Sequence, residues 1–386
     1  MATQPIFSLT AGHNVRVDQI TLREIHLALK EPFRISSGEV FERRILLLEL
    51  REASGAIEWS ECVAGETPNY SSETIDTAWL AIEQWIAPRV LGREFAHPGT
   101  VHAELERDIR GHNMAKAAVE MGMWGLAARL EGEALARFIG GTRTSIATGI
   151  SLGIQASPEL LIEKAQAALD AGYRKVKIKI EPGRDVAWIT AARRALGEDA
   201  HLMADANNAY TLADVDILKE LDSLGLMMIE QPLAHDDLVR HAELQKRLKT
   251  PLCLDESITS LDRAQDMVTL GSGRIINIKA GRVGGLTQSL AIHDYCEASR
   301  IPVWCGGMLE SGVGRAYNVA LASLPNFTLP GDVSPSARYW AHDIVDPEWT
   351  MDRGMVQVPL DLPGIGVDVD SERIASLTVR TSVLRA

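Results

Sequence analysis

The chain has 386 residues, 46% of them hydrophobic and 24% charged, which is enough apolar material for two domains with sizeable cores. Its formal net charge of -13 sets up a field that repels polyanions and so argues against nucleic acid or an anionic membrane surface as a partner. No run approaches the roughly 18 apolar residues of a membrane span, no basic-then-apolar leader opens the sequence, and the four cysteines, Cys62, Cys253, Cys296 and Cys305, form no CxxC pair. A cytoplasmic protein with reduced, buried thiols, neither disulfide nor zinc, and small-molecule partners is expected.

Residues 15–60 alternate in strand fashion, most strongly in RILLLEL (44–50), and the turn-rich EPFRISSG (31–38) is expected to interrupt them as a loop on a hairpin. From about 72 to 138 the pattern turns helical and ends in an Ala-rich amphipathic stretch stopped by Gly140 and Gly141, so a domain boundary is placed near 141. Beyond it, short apolar runs alternate with helical patterns: SIATGIS, KVKIKI, HLMAD, LMMIE, PLCLD, RIINIK and PVWC. They end at Ser151, Lys179, Asp205, Glu230, Asp255, Lys279 and Cys305, which are 28, 26, 25, 25, 24 and 26 residues apart by subtraction. A strand-helix unit of such constant length, repeated seven times, implies an α/β fold with a parallel sheet closing into a TIM-type barrel. An open doubly wound sheet is the competing reading. It lacks a GxGxxG after its first strand, and its strand order would scatter the polar run ends.

In a parallel barrel the active site lies at the carboxyl-terminal strand ends, so polar residues closing apolar strands face one mouth. Asp205, Glu230 and Asp255 close strands three, four and five. Each acid alone reads equally well as a cap on the helix that follows. Three at matched positions on consecutive strands read as ligands of a hard cation, Mg²⁺ first and Mn²⁺ next. Lys179 and Lys279 close strands two and six, four apart in a ring of eight, and so face each other across the mouth. Within RKVKIKI (174–180) Lys177 shares the inward side with Lys179, while Lys175 is expected to be solvated or paired at the other end. Desolvation and neighbouring cations are expected to lower the Lys177 and Lys179 pKa values towards neutrality, giving a neutral amine that can act as a base. Two bases flanking a metal-held carboxylate suit removal of the adjacent proton through an enediolate. Reprotonation on the other face gives racemisation, and a β leaving group gives elimination.

At these positions the sequence resembles the enolase superfamily, within it the muconate-lactonizing subgroup, through KIK (177–179), DANNAY (205–210), IEQPL (229–233), LDES (254–257) and IKAGRVGG (278–285). GISLGIQ (149–155), WCGGMLESGVGRA (304–316) and PGDVSPSARYW (330–340) look like the branch holding N-succinylamino acid (N-acylamino acid) racemases and o-succinylbenzoate synthases. The resemblance implies an α+β capping domain over 1–141, a (β/α)7β barrel over 142–345 and a segment, 346–386, that returns to the cap. It implies Lys179 and Lys279 as the acid/base pair, Lys177 as their support, and Mg²⁺ on Asp205, Glu230 and Asp255. Asn207 and Glu256 would stand behind these groups, and Ser151, Gly307, Met308 and Leu309 would line the substrate side. Arg282 either tunes Lys279 by its charge or covers the start of the next helix. Phe33 and Ile35, with the loop VAGETPNY (63–70), would lie over the mouth. The loop departs from the usual PFxTSFG by an Arg and an Ile, which leaves the acyl and side-chain preference open. GGMLE offers no Asp-x-Asp for a free amino terminus, which favours an acylated nitrogen. His293 and His342 read as surface or structural. The substrate would be a small carboxylate and the assembly a homo-oligomer, a dimer or an octamer. Dehydration to o-succinylbenzoate in menaquinone synthesis is the alternative activity, alone or beside racemisation, and a non-catalytic, metal-stabilised binding protein is the remote one.

Overall fold

The computed structural model describes residues 14–35 and 38–386, and the side chains at 34–35 and 38–39 lie outside that description. Ahead of the barrel, strands Gln19–Ile35, Gly38–Arg51 and Ile57–Cys62 form an antiparallel sheet. Both of its faces are covered. Ile20, Leu22, Leu46 and Leu48 pack with Trp79, Ile82 and Val101 of the cap, whereas Ile25, Leu27, Ile45 and Leu47 pack with Tyr317 and Val319 of the barrel. This two-sided burial explains why RILLLEL is apolar at consecutive positions instead of alternating.

EPFRISSG lies at the end of the hairpin, as expected, but the strands enter it from both sides, and residues 36–37 between them lie outside the description. The strand runs on to Ile35, and Phe33 pairs with Val40. The register shifts between Ala28 and Phe33, a stretch containing Pro32, whose missing N–H suits an irregular edge better than a regular ladder. The Ala-rich stretch forms helix Asn113–Leu130, buried along almost its whole length between cap and barrel. Gly125 permits that approach, since a Cβ there would stand 2.7 Å from the Tyr317 hydroxyl on a barrel helix.

Seven parallel strands follow in sequence order and form one curled sheet: Ile150–Leu152, Val176–Lys179, Leu202–Asp205, Ile229–Glu230, Leu252–Leu254, Ile275–Ile278 and Val303–Cys305. Helices such as Pro158–Asp170 and Val186–Leu196 return the chain along the outside. The gap between the seventh strand and the first is spanned by single parallel bridges, Val303 to Phe327 and Thr148 to Gly331. The eighth position of the ring is thus held by a segment too irregular to register as a strand. Thr378–Arg385 then pairs antiparallel with the Gln19–Ile35 strand and completes the cap sheet. All four cysteines are buried and free, and no helix among the described residues is long and apolar enough to cross a membrane.

Candidate active site

The register of the curled sheet sets the site. Lys179 and Glu230 are both Cα partners of Asp205 on the strand between them, and Asp255 and Lys279 lie one residue past the ends of strands five and six. Lys179 Nζ donates to Asp205 Oδ2 at 2.6 Å and to Asn207 Oδ1. Lys279 Nζ donates to Asp255 Oδ2 at 2.7 Å. Lys177 lies deeper, with Nζ 3.2 Å from Glu230 Oε2, 3.3 Å from Asp205 Oδ2 and 2.7 Å from Asp332 Oδ2. Asn207 and Asn208 each donate from Nδ2 to Glu256 Oε1, at 3.2 and 3.3 Å. Arg282 takes neither expected role alone: it is buried, donates to Asp255 Oδ1, and donates from Nε to Ile258 O at 2.7 Å.

Electrostatics follow from burial among unlike charges. Asp205 is held below the usual carboxylate range; burial pushes it up, but Lys179 and Lys177 outweigh that. Burial and the Asp205 charge push Glu230 up, and burial does the same to Glu256. The expected lowering of Lys177 is not found. Its burial acts in that direction, yet Asp332, Glu230 and Asp205 together raise it well above an ordinary lysine. Lys279 is raised as well: burial pulls it down, while Tyr70, Glu230 and Glu256 act upward.

Of the two expectations for Lys175, solvation is not found, and it is paired instead. It has no exposed surface, its Nζ lies 3.6 Å from the centroid of Trp304, and Asp332 Oδ1 is 3.6 Å away. An inward position at the start of a barrel strand faces a packed layer, not water. Ser151 Oγ donates to the same Asp332 at 3.0 Å.

The cap reaches the mouth through Tyr70, whose hydroxyl lies 3.1 Å from both Asp255 Oδ1 and Lys279 Nζ. Gly306 and Gly307 let the loop after strand seven close in, since a Cβ on the first would meet Asn277 Oδ1 at 2.3 Å and on the second Asp332 O at 2.7 Å. Met308 and Leu309 are half-buried beside them, Leu309 in the left-handed region at φ 57°. Phe33 is half-buried at the rim by Leu152 and Gly153, and the Ile35 side chain lies outside the described residues. His293 is structural, accepting from Asn326 N at 3.0 Å on Nε2, and His342 is exposed.

Among the described residues no three His, Cys, Asp or Glu side chains are gathered tightly enough to hold one ion. Instead the carboxylates of Asp205, Glu230 and Asp255 turn to the lysines and Arg282. The donor set nonetheless fits a hard divalent cation: only oxygens, buried, on adjacent strand ends, with the Glu256 Oε2 and Asn277 Oδ1 atoms buried and lacking partners.

Residues 160–374 match the enolase C-terminal domain-like family, and residues 18–140 match the mandelate racemase / muconate lactonizing enzyme N-terminal domain. The chain belongs to the enolase superfamily. Within that superfamily it is 47% identical to an o-succinylbenzoate synthase of Geobacillus kaustophilus, over 94% of this chain and 96% of that one. It is 43% identical to an N-succinylamino acid racemase of Amycolatopsis sp, over 94% and 98%. Both relatives are enzymes. A solved enolase-superfamily member from Listeria innocua superposes with a TM-score of 0.93 at 41% identity, covering 97% of this chain and 100% of that one. Superfamily members generally use a divalent metal.

Sequence reasoning missed Asp332, Trp304 and Asn277, whose Nδ2 donates to Glu230 Oε1 at 2.7 Å. It had the signal for the first. Asp332 lies 27 residues beyond Cys305 by subtraction, so one more step of the repeat lands on it.

Proposed function

We propose that this barrel mouth removes the proton next to a substrate carboxylate, with Lys179 and Lys279 serving opposite faces of that carbon. Asp205, Glu230 and Asp255 would hold a divalent cation, Mg²⁺ first and Mn²⁺ next. The observation that carries the reading is the placement of one ammonium at the end of strand two and another at the end of strand six, with three carboxylates on the strands between. When bound, the cation would supply positive charge at the substrate carboxylate, where negative charge collects as the proton leaves.

The side chains of this chain do the rest. Lys179 Nζ takes or returns the proton on one face and Lys279 Nζ on the other. Asn207 and Asp205 aim Lys179, Tyr70 and Asp255 aim Lys279, and Lys177 faces the anionic centre from below. Ser151, Gly307, Met308, Leu309 and Phe33 would border the substrate.

N-succinylamino acid racemisation uses both lysines, one on each face. Formation of o-succinylbenzoate is the second reading. Its substrate also carries two carboxylates, and the 47% identity to a synthase favours it. Parallel assays compare the two activities directly. The two-base mechanism is tested in deuterated water with N-succinyl-phenylalanine. Lys179→Arg keeps its charge but not its basicity, and should abolish inversion while one enantiomer still exchanges its α-proton; Lys279→Arg should do the same for the other. We assign Lys179 to the (R)-substrate and Lys279 to the (S)-substrate. Exchange with both enantiomers in either variant would end the two-base reading.

A further inference from the structure

The two lysines at the mouth are aimed by the same device, but from different parts of the molecule. A neutral amine carries two N–H groups and one lone pair, so tying down both N–H groups fixes where the lone pair points. Lys179 Nζ donates to Asp205 Oδ2 at 2.6 Å and to Asn207 Oδ1, and both partners stand at the end of one barrel strand. Among the described residues no cap side chain bonds it. Lys279 Nζ donates to Asp255 Oδ2 at 2.7 Å and to the Tyr70 hydroxyl at 3.1 Å. Tyr70 comes from the cap, and the centroid of its ring lies 4.6 Å from the same Nζ.

The hydroxyl has no bonding capacity left over. It donates to Asp255 Oδ1 at 3.1 Å and accepts from Lys279 and, at 3.2 Å, from Arg282 Nη1, which uses its one proton and both lone pairs. The loop that carries it is pinned at its base. Ile75 N donates to Gly65 O at 2.8 Å, and the Glu73 carboxylate accepts from Met114 N at 2.9 Å and from Ala115 N at 3.1 Å, in the first turn of helix Asn113–Leu130. Of the two partners of Lys279, Asp255 is also claimed by the proposed cation. The Tyr70 hydroxyl is not.

We propose that Tyr70 is a positioning residue for Lys279 alone, so that the cap governs proton transfer on one face of the substrate carbon and not on the other. The inference rests on the proposed reading of the barrel mouth and goes beyond it by making the two faces unequal. Lys179 is aimed once the barrel has formed, Lys279 only once the cap is seated on it. Racemisation passes through both lysines, so loss of the hydroxyl slows both directions alike. Exchange without inversion passes through one lysine and shows which was hit.

The test follows α-proton exchange of (R)- and (S)-N-succinyl-phenylalanine in deuterated water, in the Mg²⁺-loaded wild type, Tyr70→Phe, Lys179→Arg, Lys279→Arg and the two double variants, with Mg²⁺ affinity measured by calorimetry. Tyr70→Phe keeps the ring and removes the bond. Added to Lys179→Arg, it should slow (S) exchange about tenfold through kcat, and added to Lys279→Arg it should leave (R) exchange within about twofold. Mg²⁺ affinity should stay as in the wild type. If Tyr70 only steadied Asp255 or the cap, exchange of both enantiomers would fall together, and Mg²⁺ affinity with it. That result, or unmoved (S) exchange, overturns the positioning role while the reading of the mouth stands. Lysine variants that failed to separate the enantiomers would instead end the two-base reading, and the role of Tyr70 with it.

Discussion

Asp332→Asn removes one negative charge beneath the barrel mouth while keeping the shape of the side chain. That carboxylate is 2.7 Å from Lys177 Nζ and 3.6 Å from Lys175 Nζ, and both lysines are buried. Lys177 would keep Glu230 and Asp205 as partners. Lys175 would keep the Trp304 ring, at 3.6 Å from its centroid, and the weaker pull of the Glu230 charge. A desolvated cation–π contact is worth about 2 kcal/mol, whereas stripping a buried charge of its partner costs about 3–5 kcal/mol. The variant should therefore lose about 3 kcal/mol at pH 7, read from the denaturant midpoint at unchanged slope. Burial lowers the Lys175 pKa, so the folded state sheds this proton before the unfolded chain does. The penalty for holding it charged then fades as pH rises towards about 10.4. Asp332 itself is held below the usual range, since Lys177 and Lys175 outweigh its burial, so in the wild type its own contribution is lost only in strong acid. A cost under about 1 kcal/mol at pH 7, or one that does not shrink by pH 10, would refute the assignment of Asp332 as the counter-charge of Lys175.

Glu230→Gln keeps an acceptor for Asn277 but removes a charge from the proposed cation site, so Mg²⁺ affinity by calorimetry should fall at least about tenfold while the fold survives. Chelation should abolish turnover and Mg²⁺ or Mn²⁺ should restore it; full activity in metal-free protein would remove the cation from the mechanism. Burial, with Glu310 adding to it, pushes Glu61 up to about 7 from an ordinary 4.5. Its contribution to stability is therefore present below 4.5 and lost as pH rises through about 7. Glu61→Gln should flatten the slope of Tm against pH between these values, and an unchanged slope would show that another group sets it.

The repeat of about 26 residues carried most of the fold, because one strand, one helix and two short turns leave little freedom in length. The five residues at the mouth were legible for a related reason: an acid or a lysine closing an apolar run is costly unless it faces other polar groups. The eighth ring position shows no alternating pattern, being held by single bridges at Phe327 and Gly331, and only the spacing of the repeat points to it. The cover over Lys175 was not legible because alternation tells which side of a strand a residue takes and nothing about what covers that side; here it is Trp304, 129 residues further on by subtraction. The raised Lys177 arises from Asp332, Glu230 and Asp205 together, a sum over three strand ends that no local window contains.

The cap sheet draws its fourth strand from far down the chain: Thr378 pairs with Ile25, 353 residues earlier by subtraction. During synthesis, at about 5–20 residues per second, the Gln19–Ile35 strand would wait on the order of 20–70 seconds with one edge bare. A bare edge recruits other strands, and so distant a pairing is slow to find. Folding therefore has to shelter an early hairpin until the barrel exists. The cap that carries Tyr70 over Lys279 is thus the last part to be finished, and a half-made chain would hold its lysines and carboxylates open to water, with no chemistry to offer.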